Sequence, residues 1–169
     1  MSSYLAVKIL HLFGVSGVAA ALALEWAAVL QLRRATTPEQ VRQWTELVNL
    51  LPRIGAPAMI ALLGSGLYLA ATAWQGAPWL MCGLGGMVLL MVLGALSGFR
   101  LRGILQKDPQ FVALRNPLFP TTLRLRLAIF LGVTVVMVTK VDLAASLSVL
   151  GLALATGALV AVPAWRSAP

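Results

Sequence analysis

The side chains best placed for chemistry in this sequence lie along one seam of its first apolar segment. Read at helical steps of three and four residues, the seam holds Tyr4, Val7, His11, Gly14, Val18, Ala21 and Glu25. Ionisable side chains inside a bilayer are costly and almost always face other helices or a cavity. Small residues on the same seam allow helices to approach closely. We therefore predict that this seam faces protein rather than lipid.

Glu25 is a carboxylate within the first apolar segment, and its depth in the membrane means that it needs a partner. A carboxylate in a medium of low dielectric constant must be paired, hydrogen-bonded or protonated. Three arginines are predicted at its depth: Arg53, Arg100 and Arg126. We predict a structural ion pair between Glu25 and Arg53 that fixes the register of two helices. The alternatives are a proton-relay carboxylate and a carboxylate in a water-filled vestibule.

His11 is the single histidine of the chain. A histidine that binds haem iron needs a roomy interior face, and nearby Gly14 and Gly17 would provide one. Met137, at a similar depth on a later segment, is the candidate sixth ligand for haem b, and Met81 is a poorer one. The alternative is a hydrogen-bonded packing residue, which is the commoner role of a lone transmembrane histidine.

A second polar group is predicted at the opposite end of the bundle from the arginines. Lys8 and His11 of the first segment would there meet Lys140 and Asp142 of a later turn. Two lysines beside one aspartate leave a net positive charge, which suits an anionic group. Alternatively, the lysines extend to the membrane interface and Asp142 caps the helix that follows it.

Other catalytic patterns are missing from the sequence. It has no paired carboxylates at catalytic spacing, no serine or cysteine beside a base, no phosphate-binding loop and no Cys/His cluster for zinc. Met81, Met87 and Met91 do not share one helical face, so they indicate packing rather than a soft-metal site. Hydrolase, kinase and metalloprotease functions therefore have no support. The single cysteine, Cys82, excludes an internal disulfide.

These side chains must be positioned by helices that lie in lipid. The chain has 169 residues, of which 60% are hydrophobic and 11% charged, whereas soluble domains average about 25% charged residues. A bilayer core about 30 Å thick requires about 20 apolar residues per helix. The segments 4–32, 50–74, 78–99, 123–141 and 143–162 satisfy that requirement. We predict one all-α domain of five transmembrane helices, or four if the last segment does not cross, and no cleavable signal peptide.

The basic residues predict the orientation of this bundle. The net charge is +8, but the Lys and Arg residues flank apolar helices instead of forming one soluble face, which argues against nucleic acid. Placing the N-terminus outside puts eleven of the thirteen Lys and Arg residues, all but Lys8 and Lys140, on the cytoplasmic side, as the positive-inside rule requires. We predict a multi-pass protein of the bacterial cytoplasmic (inner) membrane, with anionic lipids at the cytoplasmic face.

Three stretches of the chain resemble an integral membrane family of unknown function, numbered 2269. They are 4–14, with its Lys-x-x-His step, 57–69, and 123–132 leading into 136–140. The leading Leu-His-x-x-Gly also resembles copper-resistance D type proteins and the J-type protoporphyrinogen oxidase. The last resemblance implies haem at His11, although Glu25-Trp26 stands where that family has an arginine-bearing motif. The first resemblance implies a fold and no activity.

Two classes of function follow from the sequence. The first is a non-catalytic accessory or assembly subunit that packs on other membrane subunits, or on a second copy, through glycine-rich faces such as Gly94 with Gly98 and Gly151 with Ala155. The second is a membrane redox protein with haem or another porphyrin at His11. A small-solute transporter ranks third, because the paired interrupted helices that mark transporter sites are not found.

Overall fold

The computed structural model describes residues 3–107 and 118–166. This part of the chain forms five helices: α1 (Ser3–Arg34), α2 (Pro38–Ala73), α3 (Pro78–Lys107), α4 (Leu118–Thr139) and α5 (Leu143–Arg166). Each of them contains a stretch long and apolar enough to cross a membrane. The predicted all-α bundle of five membrane helices is confirmed.

Helix α2 begins at Pro38 instead of at the predicted residue 50. Its first turn is capped from both sides: the Gln40 N–H donates to Thr37 Oγ1, and Gln40 Oε1 accepts from the Thr36 N–H. Arg42 then pairs with Glu39 at 2.8 Å and Glu46 at 4.0 Å. These local interactions stabilise a helical conformation in the polar segment 38–49, which hydropathy alone assigned to a loop.

The other helices also differ from their predicted bounds. Helix α3 continues to Lys107 rather than ending at 99, and α4 spans Leu118–Thr139 rather than 123–141. Polar residues extend α3 beyond the apolar window from which its end was predicted. The predicted turns at Asp108-Pro109 and Asn116-Pro117, and with them Arg115, lie outside the described residues.

Two tight turns close the end of the bundle that lies away from the arginines. Between α2 and α3, Gly76 has a φ of 74°, a left-handed conformation that glycine adopts without strain. Between α4 and α5, Lys140 has a φ of 51°, and Asp142 Oδ1 accepts the Ala145 N–H at 2.8 Å. Asp142 is thus an N-cap for α5, one of the two roles that we predicted for it.

Helices α1 and α2 form a close antiparallel pair. A Cβ added at Gly14 would lie 2.7 Å from the backbone nitrogen of Leu62, and one added at Gly17 would lie 2.7 Å from Ala58 Cβ. Further along, Gly55 of α2 faces Ala21 of α1. The small residues of the α1 seam therefore bring the two backbones together, as expected for helices that pack in lipid.

Helices α4 and α5 pack by the same means, and one apolar core joins α3 and α4 to the α1–α2 pair. Gly132 of α4 faces Ala153 of α5, and Gly157 of α5 faces Ala128 of α4. Met87, predicted to be a packing residue, is 5% exposed within the core. The buried core comprises Val18, Leu22, Met59, Leu62, Met87, Leu90, Leu123, Ile129 and Val133.

Candidate functional site

The α1 seam faces protein along most of its length. Gly14 is buried and Val18 is 3% exposed, while His11 and Glu25 are both partly buried. Tyr4, at the start of the seam, is the exception, with 40% of its surface exposed. The prediction that His11 and Glu25 lie on an internal face of α1 is confirmed.

Glu25 forms an ion pair with Arg126 of α4. Both carboxylate oxygens accept from Arg126 Nη1, at 2.6 and 2.7 Å. The Arg126 side chain is 13% exposed and that of Glu25 is 24% exposed, so the pair is mostly removed from solvent. Charge-assisted hydrogen bonds of this length are among the strongest in proteins. The pair connects the α1–α2 hairpin to the other three helices.

The predicted pairing of Glu25 with Arg53 is wrong. Arg53 and Arg100, the other candidates at this depth, are both exposed. On α2 it is Leu51, 6% exposed, that is buried at the depth of Glu25. Arg53 follows it by two residues, about 200° further around the helix, and therefore projects away from α1. Depth along the helices narrowed the candidates for Glu25 to three arginines. The side of the helix on which each arginine lies determines that Arg126 is the partner.

A glycine of α3 makes room for the Arg126 guanidinium. A Cβ added at Gly94 would lie 3.3–3.4 Å from Nη2, Cζ and Nε of Arg126, so the guanidinium lies flat against this backbone. Gly94 was predicted to pack against another helix, and here it receives a side chain. Arg126 Nε is buried and has no hydrogen-bond partner within the described residues. The arrangement thus neutralises Arg126 through Glu25 but leaves one of its donors unused.

His11 is hydrogen-bonded to α2. Its Nδ1 lies 3.1 Å from Ser65 Oγ, and the Ser65 hydroxyl itself donates to the backbone carbonyl of Ala61. With the hydroxyl proton engaged, Ser65 Oγ is the acceptor and the His11 Nδ1–H is the donor. The ring also lies against Gly66, where a Cβ would be 3.2 Å from His11 Cε1. Both contacts of the imidazole are with α2.

Met137 and His11 each have a separate neighbour. Gly83 of α3 provides the space for the Met137 methyl group, since a Cβ at position 83 would collide with it. His11 instead contacts α2 through Ser65 and Gly66. A hydrogen bond from Nδ1 is the usual support for a histidine that binds metal through Nε2. Haem at His11 stays a prediction.

The predicted polar group at the far end takes a different form. Lys140 Nζ lies 3.8 Å from the ring centroid of Trp74 and 6.0 Å from that of Trp79. The two indoles meet edge to face, with centroids 5.4 Å apart. Lys140 is thus held by a cation–π contact, and Asp142 is occupied as a helix cap. Lys8 is exposed, and an anion held by these groups stays a prediction.

Three important partners were not assigned from the sequence. They are Ser65 and Gly66, which contact His11, and Trp74, which contacts Lys140. Gly-Ser-Gly at the level of a buried histidine was the signal for the first two. No signal pointed to Lys140 for Trp74, because the contact joins residues far apart in the chain. In the part of the chain that the structure describes, no three His, Cys, Asp or Glu side chains gather as metal ligands would.

Comparison of the chain with protein-family models, with curated proteins and with solved structures finds no match.

Proposed function

We propose that this chain is a non-catalytic integral membrane protein that serves as an accessory or assembly subunit of a larger membrane complex. The observation that carries the proposal is that the polar side chains Glu25 and His11 are both engaged in contacts between helices. Glu25 is paired with Arg126, and His11 is bonded to Ser65. Both contacts join helices of this one chain, which supports a scaffolding role for them.

The surface that such a subunit would offer is the outward face of α5. Five exposed small residues follow one another along this face at steps of three and four: Ala144, Ser148, Gly151, Ala155 and Ala158. Larger residues border this α5 stripe, with Leu147 56% exposed on one side and Leu152 70% exposed on the other. A Cβ added at Gly151 would meet nothing within 4 Å in this chain. Small residues between larger ones suit close packing of another membrane helix.

The distribution of basic residues supports the location that we propose. Arg33, Arg34, Arg53 and Arg100 are exposed at one end of the bundle, and such residues collect on the cytoplasmic side of a bacterial inner membrane. Anionic lipids of that leaflet would be attracted to this end.

Replacing Gly151 with leucine tests the subunit role. In mild detergent, we expect the wild-type chain to migrate on a native gel within an assembly larger than one copy. Gly151→Leu should weaken that assembly about tenfold or more, because a bulky group in a close contact costs about 1–3 kcal/mol. Mass spectrometry of the wild-type band identifies the partner as a different protein or a second copy.

Thr156→Leu is the matched control. Thr156 is also exposed on α5, but it lies outside the stripe, so a leucine there should leave the assembly intact. A wild-type chain that migrates alone, or equal behaviour of the two variants, would contradict the proposed role.

A further inference from the structure

Arg53 is an exposed cation at about the depth of the Glu25–Arg126 ion pair. Gly55 of α2 faces Ala21 of α1, and the two helices run antiparallel, so Leu51 lies level with Glu25. Arg53 is two residues, about 3 Å, further into the membrane. It is thus at least as deep as the buried ion pair, yet it is exposed.

The surroundings of Arg53 are apolar and face outward. Leu50 is 44% exposed, Ile54 is 43% exposed and Ile60, further along the helix, is 73% exposed. Asn49, one turn before Arg53 on the same face, is exposed as well. Arg53 and Asn49 are therefore two hydrogen-bond donors on a face that otherwise suits acyl chains.

The carboxylates of the described residues are engaged elsewhere. Glu25 pairs with Arg126, Glu39 and Glu46 pair with Arg42, and Asp142 caps α5 at the opposite end. Within residues 3–107 and 118–166, Arg53 thus has no counter-charge. A cation in lipid without a counter-charge is costly, so its partner is expected from outside this chain.

The geometry of α2 indicates the chemistry of that partner. Side chains on a helix lean toward its N-terminus, and α2 begins at the Arg-rich end. The Arg53 guanidinium therefore reaches from its deep backbone position toward the headgroup level. There its fork of N–H donors matches the oxygens of a phosphate, and the Asn49 amide supplies a further donor.

We propose that Arg53 and Asn49 bind the phosphodiester of an anionic phospholipid in the leaflet at the Arg-rich end. The acyl chains of this lipid lie along the exposed apolar face of α2, on Leu50 and Ile54. Exposed Arg33, Arg34 and Arg100 at the same end disfavour a headgroup that carries its own cation, which selects phosphatidylglycerol-like lipids over phosphatidylcholine. The site requires membrane insertion but no partner subunit.

Native mass spectrometry of the purified full-length chain, titrated with phosphatidylglycerol or phosphatidylcholine, tests this site. We expect the wild type to retain phosphatidylglycerol preferentially. Arg53→Gln should weaken that binding about fivefold, the effect of one basic residue near an anionic headgroup. Arg42→Gln removes the same charge from the paired, protruding part of α2 and should change the binding little.

Equal lipid binding by Arg53→Gln and Arg42→Gln would overturn the proposal. So would unchanged lipid binding together with the loss of a co-purifying protein from Arg53→Gln, because that result assigns Arg53 to a carboxylate of another chain. If Arg53→Gln does not fold, Arg53→Lys is the alternative variant, because it keeps the positive charge but removes the planar set of guanidinium N–H donors. It should bind phosphatidylglycerol more weakly than the wild type, and identical binding would likewise overturn the site. The assay uses the isolated chain, so its outcome is independent of the subunit role.

Discussion

Glu25 and Arg126 are two charges that each need the other in a setting with little water. Desolvating a charge costs several kcal/mol, and a close, well-oriented counter-charge offsets that cost. The geometry here is close, since one Arg126 nitrogen serves both carboxylate oxygens. Such a pair adds little net stability compared with apolar residues, but removing one partner leaves a buried charge. Its main effect is therefore to specify which helices meet.

Substitutions at Glu25 should follow a graded order. Glu25→Gln keeps an acceptor for Arg126 and should lower the free energy of unfolding by about 1 kcal/mol. Glu25→Leu leaves the Arg126 charge unpaired and should cost about 1–3 kcal/mol, less than for a fully buried pair because both groups are partly exposed. The double variant Glu25→Leu/Arg126→Leu should recover most of that loss. Thermal unfolding in detergent, followed by circular dichroism, measures the series, and a double variant less stable than Glu25→Leu would contradict it.

At the scale of elements, some glycines allow two helices to pack closely and others do not. Gly14 and Gly17 admit the α2 backbone, whereas Gly64 of α2 has open space around it. Glycine by itself therefore does not mark a contact between helices. What distinguishes these positions is the neighbour that a Cβ would meet.

A matched pair of alanine substitutions tests this distinction. Gly14→Ala places a Cβ 2.7–2.9 Å from the backbone and Cβ of Leu62, which cannot move independently of α2. It should therefore destabilise the protein by about 1–3 kcal/mol. Gly64→Ala meets nothing within 4 Å and should leave the unfolding midpoint unchanged or raise it slightly, because alanine favours helix. Equal effects in detergent unfolding would show that the α1–α2 approach is looser than described.

For the whole molecule, five crossings place the two ends of the chain on opposite sides of the membrane. The turn at Gln75–Ala77 then lies on the N-terminal side, and the Arg34–Pro38 connection on the other. The same arrangement places Lys140 and the two tryptophans together at the N-terminal side, where Trp is enriched at the interface.

Cysteine labelling in intact cells tests this topology. In a Cys82→Ser background, Gln75→Cys should react with a membrane-impermeant maleimide added outside, whereas Thr36→Cys should react only after the cells are permeabilised. Both positions are exposed, so the comparison reports sidedness. The reverse labelling pattern would show that the orientation is the opposite of the predicted one. Labelling of both cysteines from outside would show that the segment between them does not cross the membrane.

The sequence predicted the fold well because hydropathy and length decide which segments cross a bilayer. It did not predict the partner of Glu25, because depth along a helix can be counted in residues but the direction of packing cannot. Arg53 and Arg126 were equivalent by depth and differ only in the side of the bundle that they face. The early start of α2 at Pro38 was visible in principle, since Thr37, Pro38 and Gln40 form a capping pattern. The contact of Lys140 with Trp74 depends on tertiary structure alone.

That contact also sets an order of events during synthesis. Trp74 and Trp79 are synthesised before Lys140. The cation–π contact at this rim can consequently form only after α4 has been translated. A nascent chain arrested before residue 140 would therefore present both indoles without the cation that lies over Trp74 in the complete bundle.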